Sequence, residues 1–202
     1  MSATAAPAAS DRSDFRTVTV GGAKVGVVTA VAVVAFLAAS RLVPIAAGLR
    51  GGVTALIVLV AGLLVAFLPS QWTAARSTEG IAGGAAVGLV GTVVFSAIDI
   101  VLLRPFKAYP WTWDAIGGGS TWWYLPIWWM LGTFLAWMGG IVTAASGEAT
   151  LARRALPAIA GTIIVAAIGR LAGVPVAFSV ITGAAFTLVL AALALVALAR
   201  KG

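Results

Sequence analysis

Proton-transfer chemistry in this 202-residue chain rests on six carboxylates, Asp11, Asp14, Glu79, Asp99, Asp114 and Glu148, because the sequence contains no His and no Cys. General acid–base catalysis needs a positioned proton carrier, and most of these residues fall in tails or connecting loops. A buried two-carboxylate arrangement requires Asp99 and Asp114 to converge, which pairs a helix residue with a loop residue. An enzyme is therefore not expected. Zinc sites of the usual His/Cys type, His-ligated haem, Fe–S clusters, disulfides and thiol or imidazole catalysis are excluded by composition. No metal and no cofactor is expected. Gly117-Gly118-Gly119-Ser120 lacks a following Lys and a preceding strand, so it is not a phosphate loop.

The remaining candidate chemistry is aromatic recognition. Six of the eight Trp residues lie between Trp111 and Trp129, in the run WTWDAIGGGSTWWYLPIWW. Trp and Tyr rings prefer the membrane–water boundary, where the ring stays dry and the N–H or O–H stays wet. Interfacial anchoring accounts for many such residues. Two Trp pairs, Tyr109, Tyr124 and a Gly hinge exceed what a belt needs, so Trp111, Trp113, Trp122, Trp129 and Tyr124 form a candidate partner or ligand surface. Ser120 is an N-cap candidate for the helix that follows. Helical phase at about 100° per residue places Trp122, Trp129 and Trp137 within about 80° of one another, on the face that carries Gly140 and Ala144. Trp122 and Trp129 are expected to face protein; Trp123 and Trp128 are expected to face lipid headgroups. Pro126 is expected to kink or restart the helix.

Asp99 is the only carboxylate inside an apolar stretch. An ionised group there is costly unless paired or wet. Arg41, Arg104 and Arg170 fall at the same depth and are its candidate ion-pair partners. Such a pair serves either to lock the helices together or to contact an ion or substrate.

These residues must be positioned by membrane-spanning helices. The chain is 61% hydrophobic and 9% charged, with a mean hydropathy of +1.09, more apolar side chain than a soluble core of this length can bury. A span needs about 20 residues to cross a hydrocarbon core of roughly 30 Å. Six spans are predicted, near 22–40, 51–68 (ended by Pro69), 81–103 (stopped by Arg104-Pro105), 121–145, 155–172 and 175–199. Arg170 in the last turn of the fifth leaves a five-span arrangement with a re-entrant segment as the alternative. The predicted fold is an all-α polytopic membrane helix bundle. Residues 1–21 read as a disordered cytoplasmic tail, with a cleaved signal peptide disfavoured by the acidic, polar start. Residues 22–199 form the transmembrane domain, with an outward Trp-rich loop over 104–126, and 200–202 form a short basic tail.

Orientation follows from the basic residues. With the N-terminus inside, Arg12, Arg16, Lys24, Arg76, Arg153, Arg154, Arg200 and Lys201 face inward, against Arg41, Arg50, Arg104, Lys107 and Arg170 outward. This excess predicts both termini in the cytoplasm. The net charge of +7 is spread over these turns, so nucleic acid is not an expected partner.

Small residues recur every four positions as Gly84, Gly88, Thr92 and Ser96 on the third span, as Gly132, Ala136, Gly140 and Ala144 on the fourth, and as Ser179, Gly183, Thr187 and Ala191 on the sixth. In lipid, close backbone approach through such ridges supplies packing energy. A faint repeat places an Arg and a Pro at each outward turn: Arg41 with Pro44, Arg104 with Pro105, and Arg170 with Pro175. Snorkelling cations and Pro stops account for it without duplication.

The six-span layout, inward termini and aromatic outer loop resemble the substrate-binding subunits of energy-coupling-factor vitamin transporters. Ala35 and Ala39, four apart on the first span, are similar to the small-residue contact of those subunits; no family motif is matched residue by residue. The resemblance implies a small-solute transporter or its binding subunit. The residues themselves point to an integral membrane protein without enzymatic activity, an accessory or structural component of a membrane complex. The expected partners are the lipid bilayer and either other membrane subunits or further copies of the chain. The Ala/Gly/Val/Arg-heavy usage suggests a GC-rich bacterial genome and hence the cytoplasmic membrane.

Overall fold

The first helix is started by Asp14, whose carboxylate accepts from the Thr17 hydroxyl at 2.6 Å and the Thr17 backbone N–H at 3.1 Å. The computed structural model describes residues 13–44, 48–103, 124–147 and 149–200. Among them are α1 (Phe15–Leu42), α2 (Leu49–Trp72), α3 (Thr78–Ile98), α4 (Tyr124–Ala145), α5 (Leu151–Leu171) and α6 (Phe178–Ala199), and no strand. Among the described residues six helices are long and apolar enough to cross a membrane. α5 is one continuous apolar helix with Arg170 in its last turn, with no re-entrant break along it.

Three boundaries differ from expectation, each for a local reason. Residues 15–21 are helix rather than tail, because Asp14 caps them and the Ser13 hydroxyl donates to Glu79 Oε1 at 3.0 Å, fastening the start of α1 to the start of α3. Pro69 does not end α2, which continues to Trp72. Proline removes only its own N–H, and its carbonyl still accepts from the Thr73 N–H at 3.1 Å. Pro126 neither kinks nor restarts α4; it lies in the first turn, where the missing donor has no intrahelical partner to lose.

The Thr17 hydroxyl, and then its N–H, hold the Asp14 carboxyl below the ordinary carboxylate value. A depressed carboxylate stabilises the fold above its unfolded pKa of about 3.9 and loses that contribution as pH falls through the lower folded value. Protection of the amides at the start of α1, taken as exchange relative to an unstructured chain at the same pH, should therefore be present at neutral pH and fall only below about pH 4. Asp14→Ala should lack that protection at both pH values; equal protection in the two proteins at neutral pH would remove the cap from the account.

The helices alternate in direction, as their register shows. Gly22 faces Val90 and Gly26 faces Val94, so α1 and α3 run parallel; Gly88 faces Ala136 and Gly132 faces Thr92, so α3 and α4 are antiparallel. Gly139 lies on Ala66 while Ser70 meets Thr143, a parallel α2–α4 pair; Gly161 faces Val189 and Gly169 faces Ile181, an antiparallel α5–α6 pair. All odd helices thus end where all even helices begin.

α2 is the hub, packed against each of the other five helices. Its Val65, Ala66 and Phe67 meet Val87 of α3, Leu135, Met138 and Ile141 of α4, and Phe186 and Leu190 of α6 in one core. Two hydroxyls brace it. Ser70 Oγ donates to the Phe67 carbonyl at 2.8 Å and lies 3.0 Å from Thr143 Oγ1, while Thr73 Oγ1 reaches the Gly80 carbonyl of α3 at 3.0 Å. α5 lies at the edge, mainly against α6.

The middle of the α3 and α4 ridges, Gly88 and Thr92 against Gly132 and Ala136, forms their interface, while Gly84 faces Pro69–Thr73 of α2 and Gly140 meets Ile81. A Cβ added at Gly88 would sit 2.6 Å from Ala136 Cβ and 2.7 Å from the Gly132 carbonyl oxygen. The α6 ridge does not behave this way: Gly183 meets only Val58, at an ordinary 3.4 Å. Instead α6 offers bulk to small residues on its neighbours, Phe186 to Gly62 of α2 and Val189 to Gly161 of α5.

Candidate functional site

Polar and aromatic groups converge where α3 ends and α4 begins. At Ile98 the α-helix widens into a π-helical stretch, Asp99–Leu103, and the Asp99 N–H bonds the carbonyls of both Phe95 and Ser96. Such a stretch carries an extra residue per turn and re-aims the side chains that follow; it recurs at functional sites. Asp99 opens it and is wholly buried.

Three residues earlier, Ser96 Oγ donates to the Thr92 carbonyl at 2.8 Å and accepts from Trp129 Nε1 at 3.3 Å. Next to it, Phe95 and Trp128 meet edge to face, with centroids 6.1 Å apart. Trp129 faces protein, as its phase predicts. Trp128 does not point to headgroups, and Trp137, assigned to the inward face, is 49% exposed.

The reason is the width of the buried sector. α4 packs on α2, α3 and α6 together, burying Gly132, Leu135, Ala136, Met138, Gly139 and Thr143. Its open side carries Met130 and Trp137 instead. By helical phase Trp128 and Trp129 both fall on the buried sector, and both are half-buried.

Trp129→Phe removes the indole donor and should destabilise by about 1 kcal/mol in detergent melts, and Ser96→Ala by a similar amount. Trp128→Phe keeps an aromatic edge for Phe95 and should cost less. Strict additivity of the Trp129 and Ser96 substitutions would show that this hydrogen bond contributes nothing.

Of the proposed cation partners of Asp99, Arg41 ends α1 and Arg170 ends α5, both exposed at the same end of the bundle as Asp99. Arg104 lies outside the described residues, as do Trp111, Trp113, Trp122 and Asp114. Tyr124 is the first residue of α4. Ala39 is buried and Ala35 exposed, so the two do not share one packed face.

Among the described residues an open groove lies at each end of the bundle, and neither is lined by Asp99 or Trp129. One, of about 370 Å³, is lined by Arg16, Lys24, Gln71 and Trp72, with Lys24 Nζ 5.4 Å from the Trp72 ring centroid, a cation–π contact. The other, of about 390 Å³, is flanked by Arg50 and Arg170 where α2 and α6 start. Sequence reasoning passed over Arg50 and Ser179 there. The signal was faint: Gly48 and Ala177, which precede those helices, are not side-chain caps. Among the described residues no group of three or more acidic, His or Cys side chains is placed to hold a metal.

The chain matches no family model, and no curated protein or solved structure is significantly similar to it.

Proposed function

We propose that this protein is a non-enzymatic integral membrane protein, an accessory or structural component of a membrane complex in a bacterial cytoplasmic membrane, with both termini in the cytoplasm. The observation that carries the reading is a filled interior. Where a solute path through a bundle would run, backbone lies on backbone: Gly139 of α4 on Ala66 of α2, and Gly88 of α3 on Gly132 of α4. The described grooves are open and terminal, and the core between them is apolar and packed. Lipid-facing surface is ample, as Val27, Val31 and Val34 of α1 and Ile163, Ile164 and Ile168 of α5 are exposed. Such faces serve contact with lipid or with neighbouring spans.

A second reading, a small-solute transporter or its binding subunit, draws on the buried Asp99 at the π-helical stretch. Extraction in a mild detergent followed by native mass spectrometry separates the two. The structural reading expects the chain in a defined complex, with partner subunits or with further copies of itself. A lone chain that retains a small solute would replace it with the binding-subunit reading.

A further inference from the structure

We propose that the groove between the ends of α1 and α5 and the starts of α2 and α6 is a headgroup site for an anionic phospholipid. Its charge is of one sign. Arg50 and Arg170 line it, and among the described residues no carboxylate does. Arg50 is half-buried and fixed in place, because its Nε donates to the Val43 carbonyl at 2.8 Å; no other hydrogen bond engages it among the described residues. Its two terminal nitrogens remain to fork a phosphate, the geometry that distinguishes Arg from Lys.

An unpartnered hydroxyl also points to a ligand. Ser179 lines the groove and is 7% exposed. Every other buried hydroxyl among the described residues, Thr54 and Thr182 beside it included, makes a hydrogen bond, and Ser179 makes none. The Ser179 oxygen is not sealed off, since Arg154 Nε is the one fully enclosed side-chain polar atom without a partner among the described residues. It is therefore open to donate a hydrogen bond to, or accept one from, an oxygen-rich ligand in the groove.

The helix starts add to this. α2 begins at Gly48 and α6 at Ala177, neither with a side-chain cap nor an acidic residue in its first turn. By contrast α1 and α5 are capped by Asp14 and Thr150, and α3 carries Glu79 in its first turn. Two uncapped N-termini thus bring unsatisfied N–H groups and positive dipole ends to the same groove.

The rest of the lining selects a lipid over a free anion. Phe36, Val176 and Phe178 give the groove an apolar wall, and it opens at the helix ends, where phosphate and acyl chain meet in a bilayer. The proposal holds whether or not the chain has protein partners.

The full-length protein in neutral detergent should be titrated with phosphatidylglycerol, phosphatidylcholine or inorganic phosphate, reading bound lipid by native mass spectrometry and the melting temperature. Phosphatidylglycerol should bind at least ten-fold more tightly than phosphatidylcholine and raise the melting temperature. Arg50→Gln with Arg170→Gln should remove that preference, and Arg16→Gln at the opposite end should keep it. If the double variant does not fold, Arg50→Lys and Ser179→Ala, which spare charge and shape respectively, should each weaken phosphatidylglycerol binding by three-fold or more. Equal binding of the two lipids, an undiminished preference in folded variants, or full stabilisation by inorganic phosphate alone would overturn the proposal.

Discussion

Gly139→Ala should destabilise the protein by about 3 kcal/mol or more, although alanine is the better helix former. The added Cβ would run into the Ala66 carbonyl oxygen, with the Ala66 carbonyl carbon at 2.6 Å. Both sides of this contact are backbone, so no rotamer change relieves it. Gly132 faces the Thr92 methyl instead, a side chain that can yield, and its replacement by Ala should cost less. Gly52→Ala is the matched control, since nothing lies within 4 Å of its Cβ direction, and it should change stability by less than about 0.5 kcal/mol. Ala66→Gly should not rescue Gly139→Ala, because the obstruction is the carbonyl and not the methyl. Thermal melts in one detergent decide this; equal midpoints for Gly139→Ala and Gly52→Ala would mean that α2 and α4 are not in backbone contact.

Asp99→Asn should lower stability by about 1–3 kcal/mol while the fold persists. Asp99 is completely buried at the turn where α3 widens, and an amide there places donors where the carboxylate placed only acceptors. The ion-pair proposal adds a sharper expectation. In double-mutant cycles of Asp99→Asn with Arg41→Gln, Arg104→Gln or Arg170→Gln, at least one pair should couple by about 1 kcal/mol or more. Additivity in all three cycles, or an unchanged midpoint for Asp99→Asn, would count against a charged, paired Asp99.

The spans were legible because hydropathy and length alone define them, and their ends shifted only where capping acted. Asp14 pulled α1 outward by a side chain that composition assigned to the tail. The α3–α4 interface was legible too, since a four-residue spacing of small side chains makes a flat strip on a helix whatever the neighbour.

The α6 strip misled for a related reason. Small residues permit close approach without requiring it, and α6 meets its neighbours with Phe186 and Val189. The inward turn of Trp128 could not be read from phase, because one helix buried by several neighbours has no single inner face. The Arg50–Arg170 groove was hidden by distance along the chain. Its parts come from four helices, and only the alternation of direction brings two uncapped starts together.

The central claim is a six-span bundle whose odd helices run outward, and the absence of Cys makes single-cysteine reporters clean. Ser77 lies in the turn between α2 and α3, and Val174 in the turn between α5 and α6, both exposed. In intact cells an impermeant thiol reagent should label Val174→Cys at once and Ser77→Cys only after the membrane is opened. Labelling of Ser77→Cys but not Val174→Cys in intact cells would invert the orientation. Labelling of both from outside would contradict the bundle of alternating spans itself.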